Sequence, residues 1–194
     1  LWVPHLPPEY GGQGLGPMGM CALFREMGRS PVGARAFNCD APDQGNMDLL
    51  LKSASESVRE RWLRPLIDAE ITSAFCMTEP APGAGADPSN LRTKATRDGD
   101  SWVIDGHKWY STGAGRASFL IVMARTSDDP RAGASMFVVD RHQEGVEHVR
   151  DFDTLAEPLL VHREAEMKFH SVRVSDDAVL GRIGEGFLLA QKRL

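Results

Sequence analysis

Apolar positions recur at helical spacing through the first third of the chain and in short, dense, β-branched runs thereafter. Behind the glycine-rich stretch Gly11-Gly12-Gln13-Gly14-Leu15-Gly16, the residues Met20, Leu23, Phe24 and Met27 fall three and four apart, which is one stripe of an amphipathic helix. Pro17 suits the first turn, where its missing N–H has no partner to lose, and Gly28 and Pro31 end the helix. A second apolar patch centres on Met47, Leu50 and Leu51. A third begins at Ser55, an N-cap with Glu56 in the dipole-favoured first turn, buries Val58 and Trp62, and is predicted to break near Pro65.

After Ile71 the rhythm changes. Thr72 to Thr78, Leu91 to Thr96, Trp102 to Ile104, Lys108 to Thr112, Phe119 to Arg125, Met136 to Asp140 and Met167 to Val174 read as strands. Asp98-Gly99 and Asp105-Gly106 between them favour tight hairpin turns. From Gly184 a further run, Phe187, Leu188, Ala190, Gln191 and Leu194, opens a helix. The predicted class is α+β: a partial N-terminal helical domain over 1–72, an antiparallel barrel or sandwich over 73–176, and over 177–194 the first turns of a C-terminal helical bundle.

Composition narrows the chemistry. The 194 residues carry 22 Lys and Arg against 27 Asp and Glu, a formal charge of -5, so there is no basic field to hold a nucleic-acid backbone. No apolar run reaches the roughly 18 residues of a membrane span, and no signal-like start is present. Three widely spaced cysteines, Cys21, Cys39 and Cys76, form neither a disulfide framework nor a zinc cluster. The histidines, at 5, 107, 142, 148, 162 and 170, show no metal-ligand spacing, so no metal is expected. The start at Leu1 and the stop at Leu194 inside a helical run suggest a piece of a longer protein.

Two stretches can carry a ligand. In Phe75-Cys76-Met77-Thr78-Glu79-Pro80, a strand delivers Thr78 and Glu79 to its end and Pro80 stops the ladder. The small residues of Ala81-Pro82-Gly83-Ala84-Gly85-Ala86-Asp87 then let backbone amides approach an anion or ring carbonyls closely; a plain surface loop is the other reading. In Gly106-His107-Lys108-Trp109-Tyr110-Ser111-Thr112-Gly113-Ala114, strict alternation would turn Tyr110 and Thr112 to one face and Trp109 and Ser111 to the other. One aromatic could then flank a flat ring while a hydroxyl bonds its edge. Core packing explains the same pattern.

Together these stretches resemble the acyl-CoA dehydrogenase family of flavoproteins. The likeness rests on the Thr78-Glu79-Pro80 segment, the hairpin Gly99-Asp100-Ser101-Trp102, the Gly106-x-Lys108-aromatic segment, the lead-in Leu6-Pro7-Pro8-Glu9-Tyr10-Gly11-Gly12, and Arg61-Trp62-Leu63-Arg64-Pro65-Leu66. Phe37-Asn38-Cys39-Asp40-Ala41-Pro42-Asp43 and Ala190-Gln191-Lys192-Arg193-Leu194 look most like the long-chain branch that animals fuse to a kinase-like domain, here truncated at both ends.

The resemblance implies FAD, with a cofactor-binding set of Phe75, Met77, Thr78, Gly85, Ala86, Tyr110, Ser111 and Thr112. Met77 and Thr78 would meet the pyrimidine edge of the ring, Tyr110 would take the place of the family's Trp, and Thr112 would sit beside flavin N5. Where the family reads Gly-Ser-Asp, this chain reads Gly85-Ala86-Asp87 in a slightly longer loop, so Ala86 can offer phosphates and substrate only its backbone. The implied reaction is α,β-dehydrogenation of a fatty acyl-CoA in β-oxidation, with electrons passed to an electron-transfer flavoprotein by a homodimer or homotetramer. Its compartment would be the bacterial cytoplasm, or the mitochondrial or peroxisomal matrix of a eukaryote. The family's catalytic Glu comes from the C-terminal bundle, so no catalytic residue is expected in these 194 positions. Glu79 is expected to be structural, and Glu164 and Glu166 to precede a strand as solvated carboxylates. Acting alone, this stretch should bind flavin weakly and turn nothing over. An acyl-CoA oxidase or flavin monooxygenase, or a non-catalytic binding module, are the other readings.

Overall fold

The computed structural model describes residues 1–129, 133–154 and 163–193. His162 and Leu194, named above, lie outside them.

Helices fill the first third: α1 (Pro17–Met27), α2 (Gly33–Ala36), α3 (Asp43–Ser53), α4 (Glu56–Val58), a π-helical turn over Arg59–Leu63, and α5 (Arg64–Ile67). α1 starts on Pro17, stops at Gly28, and buries Met20 and Met27 against Cys39. Ser55 Oγ accepts the Val58 N–H at 3.4 Å, capping α4. The predicted break near Pro65 does not occur. Arg64 N–H reaches back five residues to Arg59 O, and this wider turn carries the chain past Pro65, which has no N–H to pair, as far as Ile67.

Eight strands follow: β1 (Ser73–Cys76), β2 (Lys94–Asp98), β3 (Ser101–Thr112), β4 (Phe119–Arg125), β5 (Ala134–Asp140), β6 (Val146–Phe152), β7 (Glu164–Ser175) and β8 (Val179–Leu180), before α6 (Gly186–Arg193). They form one sheet in the order β6-β7-β3-β2-β4-β5-β8, with β1 added to β4. Most pairs are antiparallel, but β1 with β4 and β2 with β4 run parallel. Asp98-Gly99 turns β2 into β3 with Gly99 at φ 61°, as expected. Asp105-Gly106 makes no turn, so the two strands predicted on either side of it are one. There the register with β7 shifts by a bulge, and Asp105 accepts the Ser171 N–H at 2.7 Å. Gly106 is small for a different reason: a Cβ there would lie 2.3 Å from Thr93 Oγ1.

β4 explains why its sequence is continuously apolar. Phe119, Ile121 and Met123 join Met47, Leu50, Leu63 and Leu66 of the helices in one core, whereas Leu120, Val122 and Ala124 join Ile104, Met167, Phe169 and Val172 in a second. A strand covered on both faces has no polar side to alternate with. The second core lies inside the curl of the sheet, where Trp102 of β3 meets Phe137 of β5 at 5.6 Å between ring centroids. α3 is tied to β1 by buried Asp43, whose Oδ1 accepts the Ser73 N–H at 2.8 Å and the Ser73 Oγ–H at 2.6 Å. This fixes where β1 delivers the residues that follow it. Among the described residues no helix is long and apolar enough to cross a membrane.

Candidate functional site

Beyond Cys76 the chain leaves β4 and is captured by β3. Thr78 O accepts the Trp109 N–H at 3.0 Å, and Lys108 Nζ donates to Met77 O at 2.8 Å and to Glu79 Oε1 at 2.9 Å. Lys108 is 0% and Glu79 2% exposed. Glu79 also accepts the backbone N–H groups of Arg92 (2.8 Å), Thr93 (2.9 Å) and Ala84 (3.3 Å), so one carboxylate organises the loop from Pro80 to Thr93. Burial pushes its pKa up, but the Lys108 charge and these donated bonds outweigh it and hold the carboxyl at about 2. Burial in turn lowers the Lys108 pKa against the pull of Glu79. With four donors on the carboxylate and two acceptors at the ammonium, the charged pair is the form the site is built around.

Next to Lys108 the strand bulges. The register between β3 and β7 shifts between Lys108 and Ser111, and Tyr110 takes φ 46°. This resets the alternation. Lys108 and Ser111 both turn inward, Ser111 being 1% exposed, while Tyr110 stands 49% exposed. Trp109 therefore does not share a face with Ser111. It packs edge-on against Tyr110 at 4.9 Å, and Tyr110 stacks on Phe152 of β6 at 4.7 Å with 18° between the rings. The result is an exposed aromatic platform beside the Thr78 segment.

The residues read from sequence separate into two groups. Thr78 lies beside β3 opposite Trp109, and Tyr110 and Thr112 follow on that strand. Among the described residues the Thr78 hydroxyl makes no hydrogen bond within the chain, whereas Thr112 Oγ1 donates to Glu164 at 2.9 Å. Ser111 has its side chain in the core and offers only backbone. Met77 packs into the helical core, and Phe75 lies under the Arg193 guanidinium at 4.4 Å, facing α6. Gly85 has φ 56° and bonds back to Glu79, with Ala86 exposed after it. Glu164 and Glu166 are not loose carboxylates ahead of a strand: both belong to β7, and Glu166 is 8% exposed, held by Arg150 at 2.6 Å and His107 at 2.7 Å. Phe152, which the sequence did not single out, stacks on Tyr110, and Glu164, expected to be solvated, accepts from Thr112.

Clefts of about 380 Å³ beside Arg61 and Trp62, and of about 410 Å³ around Arg92, Lys94 and Arg125, are not lined by Thr78, Tyr110 or Thr112. A smaller cavity of about 190 Å³ lies behind Glu79, lined by Pro80, Thr93, Gly106 and His107. Among the described residues no group of three His, Cys, Asp or Glu could hold a metal ion.

Comparison with known proteins points to one family over the length of the chain. The family model for the acyl-CoA dehydrogenase N-terminal domain matches residues 1–70, and that for the acyl-CoA dehydrogenase middle domain matches 74–169. A Mycobacterium tuberculosis protein designated acyl-CoA dehydrogenase FadE2 is 43% identical over 167 residues, covering 84% of this chain and 40% of its own length. Acyl-CoA dehydrogenase family member 11 of Homo sapiens is 36% identical over 201 residues, covering 100% of this chain and 25% of its own. A solved structure from Mycobacterium abscessus assigned to the acyl-CoA dehydrogenases superposes with a TM-score of 0.93 at 37% identity, covering all of this chain and 48% of that one. The chain thus spans less than half the length of each.

Proposed function

The chain belongs to the acyl-CoA dehydrogenase family, and from that premise we propose that it supplies the flavin-binding face of an FAD-dependent oxidoreductase acting on the α and β carbons of a fatty acyl-CoA. The observation that carries this reading is the 3.0 Å bond from Trp109 N–H to Thr78 O, which sets the Thr78 segment alongside the strand that carries the half-exposed Tyr110.

The residues present fit a flat, polar-edged ring. Tyr110 presents a half-exposed ring backed by Phe152, Thr78 a hydroxyl with no partner among the described residues, and Thr112 a hydroxyl already bonded to Glu164. Bound FAD supplies the hydride acceptor. The chain's own contribution is to orient that group and, through the Thr78 hydroxyl, to give one of its edges a hydrogen bond that favours added charge. Gly85 and Ala86 would hold the phosphates by backbone amides alone, since Ala86 lacks the hydroxyl that the family pattern has there.

Glu79 is not the base. A carboxylate that is buried, paired with Lys108, bonded by four donors and held near a pKa of about 2 has neither access to substrate nor the basicity to take an α proton. The base belongs outside these residues, as the family likeness implies. So do the electron-transfer flavoprotein as acceptor and the homo-oligomeric assembly. Anaerobic addition of a fatty acyl-CoA to the full natural chain loaded with FAD tests the activity: bleaching of the flavin bands is expected, and unchanged bands with FAD bound would overturn it. Oxygen consumption by the same loaded chain in aerated buffer identifies an oxidase instead.

A further inference from the structure

Thr112 does not present a free hydroxyl. Its Oγ1 lies 2.9 Å from Glu164 Oε1 and 3.0 Å from Oε2, so its single proton is given to the carboxylate. The sheet register builds this contact in. Thr112 pairs with Glu164 across β3 and β7, and Phe152 pairs with the same Glu164 across β6 and β7. The three side chains form one cross-strand row, and Tyr110 stacks on the Phe152 ring. A hydroxyl whose proton is committed offers only lone pairs to whatever docks against Tyr110.

We propose that Glu164 is a positioning residue: acting through Thr112, it makes this edge of the site a hydrogen-bond acceptor, which favours reduced flavin, carrying an N–H there, over oxidised flavin, carrying a bare ring nitrogen. The inference rests on the flavin reading above. Glu164 also carries charge, and a carboxylate beside the ring disfavours added electrons. Polarity and charge therefore pull in opposite directions, and the test separates them.

The readout is the midpoint potential of bound against free FAD in the full natural chain, which reports the ratio of affinities for the two redox forms. Glu164→Leu releases the Thr112 proton to donate, and removes the charge as well. In a Thr112→Val background the same substitution removes only the charge. The difference between the two backgrounds is expected to be roughly tenfold in the affinity ratio, toward oxidised flavin, about the size of one hydrogen bond gained or lost. Glu164→Gln keeps an accepting oxygen and should show less than half of that coupling. Equal shifts in both backgrounds mean that Glu164 acts by charge alone and overturn the proposal, and absence of any shift overturns it equally. If the unmodified chain binds no FAD, the flavin reading itself fails, and the first titration shows this before any variant is made.

Discussion

Lys108 Nζ and Glu79 Oε1 lie 2.9 Å apart in the interior, joining the middle of β3 to the segment that follows β1. Two charges have been taken out of water at the point where the site's two edges meet. The pair costs desolvation, so its function is positional: Glu79 gathers the loop from Pro80 to Thr93, and Lys108 fixes that loop to the bulged strand carrying Tyr110.

Removing one partner should be far worse than removing both. Lys108→Met leaves a buried carboxylate without its counter-ion and is expected to cost about 3–5 kcal/mol, with Glu79→Gln in the same chain restoring part of the loss. Urea unfolding of the two single variants and the double variant measures this. A double variant that is less stable than either single one would contradict it.

The pair also sets an acid limit. Glu79 titrates near 4.5 when unfolded and at about 2 when folded, so its contribution is fully present above pH 4.5 and is lost as pH falls from there toward 2. The size is on the order of 3 kcal/mol. Stability followed across that window should fall with acid in the natural chain and fall less in Glu79→Gln.

Gly106 is required by contact. A Cβ there would strike Thr93 Oγ1 at 2.3 Å, and Thr93 N–H is one of the donors to Glu79. Gly106→Ala should destabilise by about 1–3 kcal/mol, and Thr93→Ala beside it, which removes Oγ1 and Cγ2 but leaves the Thr93 Cβ 2.6 Å from the new methyl, should recover part of that. Thermal melts of the single and paired variants decide between this and a purely conformational role for the glycine.

At position 86 the family pattern has Ser and this chain has Ala, exposed at the end of the Gly85 turn. Restoring the hydroxyl with Ala86→Ser adds a donor for a phosphate and should tighten FAD binding by about fivefold, read by quenching of flavin fluorescence.

The fold was legible where burial is simple. α1 shows its stripe and both its punctuating residues, and β4 shows as an unbroken apolar run because both of its faces are covered. β6 was missed because Glu147, Arg150 and Asp151 make it a charged, half-exposed edge strand with little apolar signal. Asp105-Gly106 reads as a turn because the local dipeptide cannot report that Thr93 packs on that glycine. In the candidate site, the stretches that carry Thr78, Tyr110 and Thr112 show in the sequence as a strand end before a proline and as a run of aromatic and hydroxyl residues. The bulge at Tyr110 does not, because it follows from the register with β7, and with it went the correct faces of Trp109 and Ser111 and the contributions of Phe152 and Glu164.

The most direct measurement is an FAD titration of the full natural chain alongside Tyr110→Ala and Thr78→Val. The flavin reading requires saturable binding by the natural chain and a loss of roughly tenfold in affinity for each variant, since each removes one ring contact or one edge bond. Binding that is unaffected by both substitutions would place the ring somewhere other than between these residues.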